Sequence, residues 1–254
     1  MTEPGQSIRP GLILLHGATL NGRMWDPVRR MLDPRWQVIT PDLPGHGTRH
    51  GEQYSLASAA DAVLAATQIA GNGPIVLAGD SLGGYSAMAA ASQVPSARLK
   101  GLILGGCTVN FVSGALRALR WRGRLGGWTA KLCGEQRFVR GHVTKLLSSM
   151  GYGQQDIDAL IQGGIHIDAF AQAVKALANV DFLPRLAAIG QPILFFNGLR
   201  DKSAMAQEAE FVAAARNAEC QHFDCEHGAS LRKAHEFAAM TDRFIARVCG
   251  TPER

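Results

Sequence analysis

Ile75-Val-Leu-Ala-Gly79-Asp-Ser81-Leu-Gly83-Gly-Tyr-Ser-Ala-Met-Ala-Ala-Ala91 runs from an apolar segment, through a glycine-flanked serine, into a train of small residues. Ile75 to Ala78 is short and begins with β-branched side chains, as a buried strand does, while Ser86 to Ala91 is small and helix-tolerant. The segment reads as strand, sharp turn and helix, with Ser81 at the turn. The spacing Gly79-x-Ser81-x-Gly83 has a mechanical reason. A serine at the tip of such a turn projects its hydroxyl away from the sheet, and flanking glycines remove Cβ atoms that would collide where strand and helix meet. The same turn aims the first free helix amides, beginning with that of Leu82, at any anion forming beside Ser81. A glycine-rich turn that merely contains serine is the competing reading, and the flanking strand and helix weigh against it.

Working outward, 254 residues that are 46% hydrophobic and 19% charged can bury one substantial α/β core with room for an insertion. The first ten residues hold no apolar run behind a basic region, and no stretch is long and apolar enough to span a bilayer, so no leader and no membrane partner are expected. Five cysteines without regular spacing point to a reduced, cytoplasmic protein. The formal charge of +5 is scattered and accompanied by no nucleic-acid-binding motif, so no nucleic-acid partner is expected.

Further strands are expected at Gly11–His16, Trp36–Thr40, Gly101–Gly106, Pro192–Asn197 and Glu219–Asp224, those at Gly11–His16 and Gly101–Gly106 buried, with helices over Ser55–Ala70 and from near Lys233 to about Val248. The strand ending at His16 leads into Gly17-Ala18-Thr19, with Asn21 and Trp25 beyond. Trp36–Thr40 leads into Asp42-Leu-Pro44-Gly45-His46-Gly47. From about 110 to 185 the βα alternation stops and amphipathic helical segments broken by glycine take over, with arginines at 117, 120, 122 and 124 around Trp121. Core alternation resumes at Pro192, followed by Asp201, and the last strand runs into Cys225-Glu226-His227-Gly228.

These motifs, in this order, resemble the α/β-hydrolase family. The resemblance implies an α/β fold with a mostly parallel central sheet flanked by helices, its core at residues 1–109 and 186–254 and a helical cap over 110–185. It implies a nucleophile elbow at Ser81, an oxyanion hole from the backbone N–H groups of Ala18 and Leu82, an acid at Asp201 and a base at His227, in the order Ser, Asp, His. Gly105 to Asn110, where some hydrolases of this fold keep their acid, contains none. His16, Asp42 and His46 fall in loops that the family uses as architecture. Glu226 departs from the glycine common before the base, and Phe237 matches a position the family often fills with phenylalanine.

The resemblance implies a serine hydrolase cleaving a small carboxylic ester or thioester without a cofactor, acting on a small-molecule acyl substrate. Carbon–carbon bond hydrolysis, lactone opening, cofactor-free lyase chemistry and ligand sensing use the same residues. Asp80 is one residue out of register with the elbow tip, which disfavours the members whose nucleophile is aspartate. Trp25 reads either as a pocket residue or as core. Trp121 and its arginines read either as a receptor for an anionic substrate or as a solvated helix face. Cys220, His222, Cys225 and His227 are dense enough to suggest zinc, but no Cys-x-x-Cys pair occurs and strand alternation splits the set, so no metal is expected. Oligomeric state is left open.

Overall fold

The computed structural model describes residues 9–112 and 135–251. One six-stranded sheet lies at the centre, in the order β2-β1-β3-β4-β5-β6, with every neighbouring pair parallel. Its strands are β1 (Gly11–Leu15), β2 (Gln37–Ile39), β3 (Ile75–Asp80), β4 (Leu99–Gly105), β5 (Ile193–Gly198) and β6 (Ala218–Phe223). The four central strands are almost wholly buried, while the edge strand β6 is largely exposed. Their near-continuous apolar runs are what a parallel sheet covered on both faces needs.

Alternation along each strand divides the core in two. Ile13, Leu15, Leu77, Leu104 and Phe195 face helices α2 (Leu56–Ile69) and α3 (Leu82–Ala91). Leu12, Leu14, Val76, Ile103 and Phe196 face α1 (Asp26–Met31) and the C-terminal helix. Helix α2 starts at a reciprocal Ser55–Ser58 capping box, which satisfies amides at its first turn.

Between β4 and β5 the described residues form only helices: α4 (Glu135–Ser149), α5 (Gln154–Gln162), α6 (Asp168–Leu177) and α7 (Leu183–Ala188). This segment docks onto the loop after β1. Asn21, 1% exposed, donates its side-chain amide to the carbonyls of Leu160 (2.8 Å) and Gly164 (2.7 Å). The amide of His166 donates to Thr19 O at 3.1 Å, and Arg30 pairs with Asp156 at 2.7 Å. After β5 come α8 (Lys202–Met205), α9 (Glu208–Ala214), α10 (Ala229–Arg232) and α11 (Ala234–Cys249). No helix among the described residues is long and apolar enough to cross a membrane.

Of the two readings of Trp25, pocket residue or core, the structure favours the core. Its side chain is fully buried, tilted against Phe237 at 5.6 Å, and belongs to the core beneath α1 rather than to an open pocket. An indole this large is worth most where it fills the gap between packed elements. Trp121 and the arginines around it lie outside the described residues.

Candidate active site

Ser81 links β3 to α3 with φ 56° and ψ −116°, a backbone conformation that side chains other than glycine rarely adopt and that costs ~1–3 kcal/mol. The turn is held by Ser81 N donating to Gly105 O at 2.7 Å and Gly84 N donating to Ser81 O at 3.0 Å. The glycines are sterically required. A Cβ on Gly79 would stand 2.3 Å from the Gly83 carbonyl carbon, and one on Gly83 would stand 2.0 Å from Leu15 O. Ser81 is partly accessible, while the rest of the turn is buried.

The loop after β1 closes on this turn, since a carbon added to Gly17 would meet Ser81 Cβ at 3.7 Å. The amides of Ala18 and Leu82 have no acceptor among the described residues. His16 shapes the loop from below: fully buried, it accepts from Leu43 N at 2.9 Å through Nε2 and bonds Gly17 O at 2.9 Å through Nδ1. Burial, with His46 nearby, pushes its pKa down to about 3, so the ring is neutral and architectural. Asp42 ties off the next loop by accepting from Gly22 N, Thr48 N and the Thr48 hydroxyl. Those bonds outweigh its burial and keep its carboxyl below the usual range.

Asp201 follows β5 and caps α8, its Oδ1 accepting from the amides of Ser203 and Ala204, both at 3.2 Å. Its other oxygen, Oδ2, meets His227 Nδ1 at 2.6 Å. The carboxylate is 7% exposed while the imidazole side chain is 52% exposed, so a buried carboxylate holds an accessible imidazole. Burial works to raise Asp201, and the bonds from His227 and the two amides outweigh it, leaving the carboxyl below its ordinary value. Partial loss of hydration works to lower His227, and the bond to Asp201 with the negative charge of Asp80 outweighs that, holding the ring above 6.5.

Gly106 lets His227 and the turn at Ser81 come together. A carbon added there would stand 2.8 Å from His227 Cε1 and 2.9 Å from Asp80 Oδ1, and Asp80 is the neighbour of Ser81. No hydrogen bond joins Ser81 Oγ to His227. Glu226 is absorbed at the surface by Arg232 (3.2 Å) and Arg200 (3.6 Å). His222 pairs with Glu208 at 2.7 Å. Among the described residues no three His, Cys, Asp or Glu side chains are grouped to hold a metal.

Sequence reasoning gave Asn21 no role and considered Asp80 only as a nucleophile. A signal for Asp80 was present: an acid closing an otherwise apolar buried strand needs a partner, which Ser230, far along the chain, supplies.

A strained serine between a strand of a parallel sheet and a helix, with a carboxylate and an imidazole arriving from the ends of later strands, defines the α/β-hydrolase class. The model of the alpha/beta hydrolase family matches residues 12–240, and the chain belongs to that family. Among curated relatives, pimeloyl-[acyl-carrier protein] methyl ester esterase of Xanthomonas campestris pv. campestris is 29% identical over 253 residues, covering 93% of this chain and 95% of the relative. The protein so named from Stenotrophomonas maltophilia is 28% identical over 257 residues, covering 93% of each. Among solved structures, MenH from S. aureus superposes with a TM-score of 0.74 at 20% identity, covering 96% of both chains. A thermophilic esterase from Thermogutta terrifontis gives 0.68 at 22%, covering 94% of this chain and 90% of that one.

Proposed function

We propose that the protein is a serine hydrolase that cleaves a small carboxylic ester through an acyl-enzyme on Ser81. The observation that carries this reading is the 2.6 Å bond between buried Asp201 and accessible His227, beside the strained turn that presents Ser81. In the reaction, the Nε2 atom of His227 takes the Ser81 Oγ proton as Oγ attacks the acyl carbon. The amides of Ala18 and Leu82 receive the oxyanion, and Asp201 stabilises the imidazolium. His227 then protonates the leaving alcohol, and a water deprotonated by the same ring releases the acid and regenerates Ser81. No step calls for a cofactor.

The names of the curated relatives support a methyl ester of a carrier-bound acyl chain as the substrate class. Residues 110–185 act as the cap that selects it, a role supported by the docking of α5 and the loop behind it onto the Thr19–Asn21 segment. The test is a panel of simple esters, thioesters, lactones and carrier-bound methyl esters assayed against wild type and Ser81→Ala. Multiple turnover of esters, abolished in the variant, is expected. Stoichiometric modification of Ser81 without turnover would instead indicate a ligand sensor.

A further inference from the structure

Asp80 has no part in the reaction as described above, yet it is 2% exposed and ends the central strand that delivers Ser81. Its Oδ2 accepts from the Ser230 hydroxyl and from Ser230 N (3.3 Å), so the carboxylate is clamped to the start of α10, just after the His227 loop. Its Oδ1 is buried with no hydrogen-bond donor among the described residues. Gly106, with φ of +57° and no side chain, leaves the space beside Oδ1 open: a carbon added there would stand 2.9 Å from that oxygen and 2.8 Å from His227 Cε1, so its absence lets the Cε1 edge of the ring come near the carboxylate. A buried carboxylate oxygen without a donor is costly, and an adjacent edge that becomes positive during the reaction offsets that cost.

We propose that Asp80 is a positioning residue for His227: clamped by Ser230, its carboxylate faces the Cε1 edge of the imidazole across Gly106 and stabilises the imidazolium formed when Ser81 gives up its proton. The proton itself goes from Ser81 Oγ to His227 Nε2 and none passes to Asp80, whose contribution is its field and its hold on the loop. The inference rests on His227 being the base. It gives the ring two carboxylates, Asp201 at Nδ1 from the loop after β5 and Asp80 at Cε1 from the end of β3. The other charged or titratable groups near this pair are Arg232 of α10, whose positive charge works to lower His227, Cys107 after β4, Cys225 after β6, whose thiol is raised by burial and by Asp80, and Tyr152 between α4 and α5. Asp80 helps keep the Cys107 thiol and the Tyr152 phenol protonated, secondary to their burial, so neither competes for its charge.

The test is the NMR titration of the His227 Cε1 proton in wild type, Asp80→Asn and Ser230→Ala, with the pH profile of kcat/KM for an ester measured alongside. Asparagine keeps the shape and the Ser230 bond while removing the charge. The His227 midpoint should fall by about one unit in Asp80→Asn, a tenfold loss of proton affinity, and the acid limb of kcat/KM should move with it. Ser230→Ala keeps the charge and should leave the midpoint at or above the wild-type value. A His227 midpoint that is the same in wild type and Asp80→Asn overturns the proposal even if kcat drops, because it reduces Asp80 to a brace for the turn. Asp80→Ser serves if Asp80→Asn does not fold. The titration needs no turnover, so a protein inactive on every ester would fail as a hydrolase without deciding the role of Asp80.

Discussion

The Asp201–His227 bond fixes the sign of two pH dependences. With His227 as the proposed base the reaction needs the neutral ring, and the ring is held above 6.5, so kcat/KM should rise with pH through a midpoint above 6.5. On the proposed mechanism Asp201→Asn should bring that midpoint down and cost ~10⁴ in kcat, as loss of the orienting carboxylate does in the serine protease triad. Stability follows linkage. The raised His227 contributes stability that is complete below 6.5 and lost as pH rises through its folded value. The depressed Asp201 contributes stability that is complete above 3.8 and lost as pH falls through its folded value. The pair therefore stabilises most between 3.8 and 6.5, and melting curves of wild type against Asp201→Asn should diverge most in that window. At this scale the sequence was legible where a residue type had one use, as for Ser81 between its glycines. It was silent on Trp25, because composition places an indole near a loop without saying which side it faces.

At the scale of elements, the elbow depends on strand, turn and helix approaching more closely than side chains allow. Gly83→Ala drives a carbon into Leu15 O, where backbone cannot yield cheaply, and should cost about 3 kcal/mol or more, roughly 6–12 °C in Tm by calorimetry. Asn21 is the second joint. Asn21→Ala leaves the carbonyls of Leu160 and Gly164 without their donor and should lower stability by about 1–3 kcal/mol in urea titration. Because the same loop carries Ala18, kcat for esters should fall as well, measured at saturating substrate. The strands and the two long core helices were legible from apolar runs and helical periodicity, with ends displaced by a residue or two. Helix α11, for example, starts at Ala234 rather than Lys233, which is its N-cap. The Asn21 joint was not legible, since its carbonyl partners lie about 140 positions away and any residue presents the same backbone oxygen.

For the whole molecule, 26 Lys and Arg against 21 Asp and Glu give a surface that favours an anionic partner at long range. If the acyl chain arrives on an acidic carrier, kcat/KM for the carrier-bound methyl ester should fall with added salt more steeply than for a small uncharged methyl ester, because screening slows encounter and leaves the chemistry alone. Stopped assays across ionic strength check this. The mostly parallel sheet flanked by helices and the Ser, Asp, His succession follow from motifs spaced along the chain, so the fold and the candidate reacting groups could be read together, whereas the order of the strands could not. Selectivity could not, because the segment proposed to set it shows an amphipathic pattern, which specifies packing and says nothing of the shape of an enclosed space.

The central claim, that Ser81 is a nucleophile activated by His227, is tested most directly by the rate at which a fluorophosphonate modifies the protein, read by intact mass and peptide mapping. Wild type should take up one equivalent on Ser81, and His227→Ala should do so at least ~10³-fold more slowly. Equal rates in the two proteins, or an adduct on any residue other than Ser81, would contradict it.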